Sequence, residues 1–212
     1  MSCDRAGFDI DITLRRGEAE IATHFASGGG ITALFGRSGA GKTSVLDMIA
    51  GVLRPDHGRI VVGGVTLFDS ARGIDLAPEA RGCGYVFQDH RLFPHLRVVD
   101  NLLYGWRLAP FDRRWIGLDE VCAFLGIAPL LDRRVRSLSG GEAQRVAIGR
   151  ALLSGARFLL LDEPLASLDA ARRAEILTVI ERIRDELALP ILYVSHDRGE
   201  VERLARDIIT ID

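Results

Sequence analysis

The sequence predicts an α/β fold: parallel strands flanked by helices, with a β-rich N-terminal part and an all-helical insertion. Three observations predict it. A short apolar strand, Ile31–Phe35, leads straight into a glycine-rich loop that opens a helix, the context a phosphate loop needs. Phe158-Leu159-Leu160-Leu161 is a continuous apolar run, the pattern of a strand buried on both faces in a parallel sheet. Between them, from Val98 to Leu153, the apolar spacing becomes helical.

The elements follow in order. Phe8-Asp9-Ile10-Asp11-Ile12-Thr13-Leu14 alternates apolar and polar residues, which marks a half-buried strand, and a second strand covers Glu20 to Phe25. Gly28-Gly29-Gly30 is a turn. A helix runs from about Thr43 to Leu53 and stops before Pro55. Arg59–Val62 and Val65–Phe68, joined through Gly63-Gly64, form a hairpin, and Gly84–Phe87 is a strand ending at Gln88. Helices are expected at Val98–Trp106, Leu118–Leu125 and Gly141–Leu153. After strand 158–161 come a long amphipathic helix (Ala170–Leu187), a strand (Ile191–Val194), a helix (Arg198–Ala205) and a last strand (Ile208–Ile211). The chain thus divides into a core from residues 1–88 and 156–212 and a helical part from 89–155, without internal repeats.

Composition narrows the function. Hydrophobic content of 48% with 26% charge is that of a soluble globular protein. A net charge of −2 and a pI near 6.2 argue against a nucleic-acid partner. The pairs Arg113-Arg114, Arg133-Arg134 and Arg172-Arg173 each have an acid close in sequence and read as solvated faces. Cys3, Cys83 and Cys122 are odd in number and far apart, which suits a reducing compartment and no metal site. No signal peptide begins the chain and no apolar run is long enough to span a membrane, so membrane association is expected only through a partner.

The residues that carry chemistry fall in three places. Of the 27 basic residues, Lys42 alone is lysine. It lies in Gly36-Arg37-Ser38-Gly39-Ala40-Gly41-Lys42-Thr43, followed by Ser44, and matches the pattern G-x-x-x-x-G-K-[ST]. Glycine at 39 and 41 lets backbone N–H groups turn toward phosphate oxygens, and the helix start adds its positive end. A mobile ammonium reaches β- and γ-phosphates where a planar guanidinium would crowd the loop, and the Thr43 hydroxyl is placed to ligate Mg²⁺. Next, Asp162 and Glu163 end an apolar strand, at the edge where such sheets bind ligands. Asp162 is expected to contact Mg²⁺ through water, and Glu163 to act as general base on the attacking water or to orient it. Third, Leu138-Ser139-Gly140-Gly141-Glu142 opens a helix with Ser139 as a plausible N-cap. It is either a second anion site or simply a capped helix start. Two phosphate-binding ends beside one lysine make sense if two copies of the chain share each nucleoside triphosphate.

In order, the glycine loop, Gln88, Leu138–Glu142, Leu161-Asp162-Glu163-Pro164, Ser167-Leu168-Asp169 and His196 resemble an ABC-type ATPase cassette over nearly the whole chain. The resemblance implies a P-loop NTPase (RecA-like) core with an N-terminal antiparallel β subdomain and an inserted helical subdomain. It also implies two cassettes stacked head to tail, with two ATP molecules buried between them. In that arrangement Gln88 reaches the Mg²⁺ and the attacking water, Asp169 bridges the subunits, and His196 contacts the γ-phosphate and holds Glu163. Gly58–Val62, Gly84–Asp89, Arg91–Leu96 and Asn101–Gly105 look like the ATP-binding subunit of bacterial molybdate importers. Such importers pair two cassettes with a membrane permease, at the cytoplasmic face of the inner membrane, and with a periplasmic substrate-binding protein. By analogy, residues from about Asp89 to Tyr104 receive a permease helix. His90 and His95 there read as loop residues, not metal ligands.

Two departures accompany the resemblance. Where such cassettes carry an adenine-stacking aromatic, this chain has Ala19 and Glu20, leaving Phe8 or Phe25 as substitutes. Many molybdate cassettes also continue into an oxyanion-binding regulatory domain, and none is expected in a chain ending at Asp212. Other readings are import of sulfate, thiamine or iron, a non-transport ABC ATPase, or a small-molecule kinase, which would not need the Ser139 element.

Overall fold

The structure is a computed structural model that describes residues 7–17 and 19–211; the side chains of Arg16 and Ala19 are also left undescribed. Cys3 and Asp212 therefore lie outside the described residues.

Two five-stranded sheets form the frame. The first is antiparallel, in the order β2-β1-β4-β5-β6, from β1 (Phe8–Arg16), β2 (Ala19–Ala26), β4 (His57–Val62), β5 (Val65–Asp69) and the short β6 (Ile74–Asp75). The second is parallel, in the order β10-β3-β9-β8-β7, from β3 (Ile31–Phe35), β7 (Cys83–Val86), β8 (Phe158–Asp162), β9 (Ile191–Ser195) and β10 (Asp207–Thr210). Among the described residues, six α-helices complete it: α1 (Lys42–Ala50), α2 (Val98–Leu108), α3 (Leu118–Leu125), α4 (Gly140–Leu153), α5 (Ala170–Arg182) and α6 (Arg198–Leu204).

Alternation along the strands decides which core each residue joins. Phe8, Ile10, Ile12 and Leu14 turn one face of β1 onto α1 and onto Phe158 and Leu160 of β8. Leu159 and Leu161, the intervening β8 residues, face a second core built with α2, α3, α4 and α5. That double burial is why β8 reads as an unbroken apolar run. Within the helical part, α4 packs on α2 and α3. A Cβ on Gly149 would come within 2.9 Å of Leu102, 3.0 Å of Leu125 and 3.2 Å of Val121, so glycine lets the three helices close up.

Several boundaries differ from the expected ones. Helix α1 ends at Ala50 rather than Leu53, because Gly51 takes a left-handed C-cap (φ 83°) well before Pro55. The helix expected over Ala170–Leu187 is α-helical only to Arg182. It closes with a π-helical turn, Ile183–Leu187, as the chain swings toward Pro190 and β9. Among the described residues no helix is long and apolar enough to cross a membrane.

Parallel register carries the functional consequence. Leu161 pairs with Val86, Asp162 with Val194, and Phe35 with Ser195. The segments that leave β3, β7, β8 and β9 therefore start from one edge of the sheet. These are the glycine loop, Gln88, Glu163 and His196.

Candidate active site

The glycine loop is shaped by two left-handed glycines, Gly39 (φ 87°) and Gly41 (φ 88°), the second being the N-cap of α1. Gly36 is required for a different reason: a Cβ there would lie 2.0 Å from the Ile211 carbonyl oxygen. The Lys42 ammonium folds back into the loop and donates to the carbonyls of Gly36 (2.8 Å) and Arg37 (2.7 Å). Its side chain is buried, so the charge sits within the loop that carries it.

Thr43 meets the end of β8. Its hydroxyl donates to Asp162 Oδ2 at 3.0 Å. Asp162 Oδ1 is buried and has no hydrogen-bond partner. Burial holds the Asp162 carboxyl above the ordinary aspartate range; Glu163 and Asp47 push the same way, opposed by the Thr43 hydrogen bond and Lys42. A hydroxyl, an unpartnered carboxylate oxygen and crowded negative charge form a hard-oxygen donor set that suits Mg²⁺. Gln88 lines the cleft over these groups, alongside Thr43, Asp47 and Asp162.

Glu163 occupies a left-handed conformation (φ 41°), uncommon for a residue with a Cβ. Its N–H is tied to the Val194 carbonyl at 3.1 Å, which holds the turn against β9. From the end of β9, His196 brings Nδ1 to 3.3 Å from Glu163 Oε2. Glu163 also lines the cleft with Ser38, Gly39, Gly41, Lys42, Thr43, Ser44 and Gln88. Thus Lys42, Thr43, Gln88, Asp162, Glu163 and His196, scattered through the sequence, gather at one sheet edge.

Ser139 caps α4 in a full capping box. Its hydroxyl accepts from Glu142 N–H (3.4 Å), and its own N–H donates to Glu142 Oε2 (2.7 Å). The backbone hydrogen bond from Ser139 is the main cause that lowers the Glu142 pKa, and Arg133 adds to it, pairing with the other oxygen at 2.9 Å. A Cβ on Gly140 would lie 3.1 Å from Leu168, and one on Gly141 3.6 Å from Arg172, so this helix tip adjoins the Asp169 segment. Asp169 itself caps α5 by accepting from Arg172 N–H. Neither Ser139, Gly140, Gly141, Glu142 nor Asp169 lines the clefts over the glycine loop.

Two expectations need correction. Phe8 and Phe25 are 1% and 5% exposed and packed in the core, so neither can stack on a base. Ile21 of β2 is the side chain that flanks the loop, its Cγ2 lying 3.3 Å from where a Gly41 Cβ would be. Arg173 is only partly solvated: its side chain is 36% exposed and pairs with Asp197 (3.2 Å) and the buried Glu200 (3.6 Å). Sequence reasoning also passed over Asp47, one helical turn beyond Thr43, which accepts a hydrogen bond from Tyr85 Oη at 3.0 Å. The i, i+4 spacing from Thr43 was the available signal.

A family model described as ABC transporter matches residues 23–166. The chain belongs to the ABC transporter family. This cassette is 58% identical over 203 residues to the molybdenum import ATP-binding protein ModC of Rhodospirillum rubrum, a match covering 96% of this chain and 55% of that protein. It is likewise 58% identical over 206 residues to ModC of Brucella melitensis biotype 1, covering 97% and 57%. The chain thus spans little more than half the length of these curated relatives. Among solved structures, cbiO1 from Clostridium perfringens, part of the ABC transporter complex cbiONQ, superposes with a TM-score of 0.81 at 26% identity, covering 98% of this chain and 85% of that one. The ATP-binding cassette MJ0796, solved as a dimer bound to ADP and Pi, gives a TM-score of 0.74 at 23% identity, covering 98% and 94%, a likeness of fold alone. The antiparallel sheet, parallel sheet and helices form the P-loop NTPase fold of such cassettes.

Proposed function

We propose that this cassette hydrolyses ATP as the motor subunit of a molybdate importer. The observation that carries the hydrolytic reading is that Glu163 shares one cleft with the Lys42 loop while His196 reaches its carboxylate at 3.3 Å. In this reading the loop from Gly36 to Ser44 wraps the phosphates with backbone N–H groups and Lys42 neutralises the γ-phosphate. Thr43, Asp162 and Gln88 would hold Mg²⁺, which, when bound, offsets phosphate charge. Glu163 takes a proton from, or orients, the attacking water, and His196 fixes the carboxylate that does so.

Because the Ser139 tip lies outside the glycine-loop cleft, it serves the nucleotide of a second copy, in a head-to-tail dimer bridged by Asp169. Molybdate as cargo is supported by the likeness to the ModC proteins. Transmembrane permease subunits and a periplasmic binding protein complete the system, and the cassette works at the cytoplasmic face of the inner membrane. Copurification with the native permease, reconstitution and uptake assays with molybdate, tungstate and sulfate test the cargo. Uptake of molybdate and tungstate over sulfate is expected; the reverse preference overturns it.

A further inference from the structure

Behind the His196–Glu163 pair lies a network that the chemistry above leaves unused. Glu200 of α6 is 7% exposed, and its Oε2 accepts from both Tyr193 Oη (2.7 Å) and Ser195 Oγ (2.8 Å). Its other oxygen stands 3.6 Å from Arg173 Nε, a buried nitrogen without a hydrogen bond of its own. Arg173 also donates from Nη1 to Asp197 Oδ2 at 3.2 Å. Asp197 closes the circuit: its N–H donates to Ser195 Oγ at 3.0 Å, and its Oδ1 caps α6 through Gly199 and Glu200. Both neighbours of His196 in sequence are thus anchored to the Arg173–Glu200 pair.

At its other end the network reaches α5. Arg173 lies in the first turn of that helix, and its N–H bonds to the carbonyl of Asp169 at 2.9 Å. A short chain of contacts therefore runs from Asp169 through Arg173 to Glu200 and Asp197, then to Ser195, His196 and Glu163. Burying a carboxylate beside a partly exposed guanidinium is a poor way to gain stability, since desolvation of the carboxylate offsets much of the attraction. Fixing a geometry is what such a network does well.

We propose that Arg173 and Glu200 are positioning residues for hydrolysis. They hold His196 on Glu163 and make that contact depend on the placement of the Asp169 segment. The inference rests on the reading of Glu163 and His196 as the hydrolytic pair. A misplacement of about 1 Å costs up to roughly a hundredfold in rate, so the effect is large enough to measure.

The test compares Glu200→Gln and Arg173→Met with Arg173→Lys, with Glu163→Gln as reference. Glu200→Gln keeps the shape, and Arg173→Met keeps the aliphatic stem, so both are expected to fold. Steady-state ATP hydrolysis, nucleotide titration, thermal melting and size-exclusion chromatography with ATP are measured for each. Expected is a kcat lowered roughly tenfold or more, KM and ATP affinity within about twofold of the parent, and accumulation of an ATP-bound dimer. Arg173→Lys should recover part of the rate. Parental kcat in both variants overturns the proposal. So does a loss of rate that merely follows a loss of ATP affinity or melting temperature, since that is a structural role. Parental turnover by Glu163→Gln would instead overturn the hydrolytic reading of the pair, and this inference with it.

Discussion

Lys42 shows how one residue type can be singled out by chemistry. Of its 27 basic residues the chain keeps one ammonium, Lys42, in the glycine loop, where the proposed function has its three tetrahedral donors meet phosphate oxygens. In the structure two of those donors are satisfied by the loop's own carbonyls, so the group is held in place by the turn it serves. Lys42→Ala should lower ATP affinity by about a hundredfold or more, the loss of charge-assisted hydrogen bonds, and nucleotide titration measures it. Asp162 supplies a different test. Its pKa is raised, so the folded state binds the proton more tightly than the unfolded chain. Stability therefore falls as pH rises from the ordinary aspartate range through the raised value, and the cost persists at neutral pH. Asp162→Asn should consequently raise the melting temperature without nucleotide. It should also abolish the further rise that Mg²⁺ adds in the presence of ATP. Differential scanning calorimetry with and without Mg²⁺ reads both effects.

At the level of elements, tight packing is carried by small residues. Gly84 of β7 lies beneath α4: a Cβ there would meet Leu159 Cδ2 at 2.6 Å, Ala156 Cβ at 2.9 Å and the Ala151 carbonyl at 3.0 Å. Gly84→Ala should therefore destabilise the fold by about 1–3 kcal/mol through overpacking. Urea denaturation measures this, and an unchanged midpoint would mean that β7 and α4 separate freely. Local sequence rules located most elements. Alternation in β1 and the apolar run of β8 were readable because each strand's burial pattern is written in its own residues. Helix ends were less readable. Gly51 ended α1 earlier than Pro55 suggested, since a left-handed cap competes with a proline stop and sequence does not rank them. The π-helical turn at Ile183–Leu187 has no local signature, because it answers to where β9 must begin.

For the whole molecule, the decisive question is how the glycine loop and the capped Ser139 helix start would act on one nucleotide, as the proposed function requires. The Ser139 tip does not line the clefts over the glycine loop, and under the proposed function a second copy brings the two together. Glu163→Gln should preserve ATP binding, stop turnover and shift the elution volume to that of a dimer in ATP; a persistent monomer would sink the shared site. The sequence by itself determined the chemistry available: a phosphate loop with its lysine, a strand ending in two acids, and a capped serine–glycine helix start, each a contiguous stretch whose meaning is local. Only the tertiary structure decided which of these meet. Parallel register brings β3, β7, β8 and β9 to a common edge, so Thr43 reaches Asp162 and His196 reaches Glu163. Burial likewise removed Phe8 and Phe25 from any surface role, and the packing of α5 against α6 set Arg173 beside Glu200. Such outcomes depend on contacts between residues far apart in the chain, and no local pattern encodes a distance between distant segments.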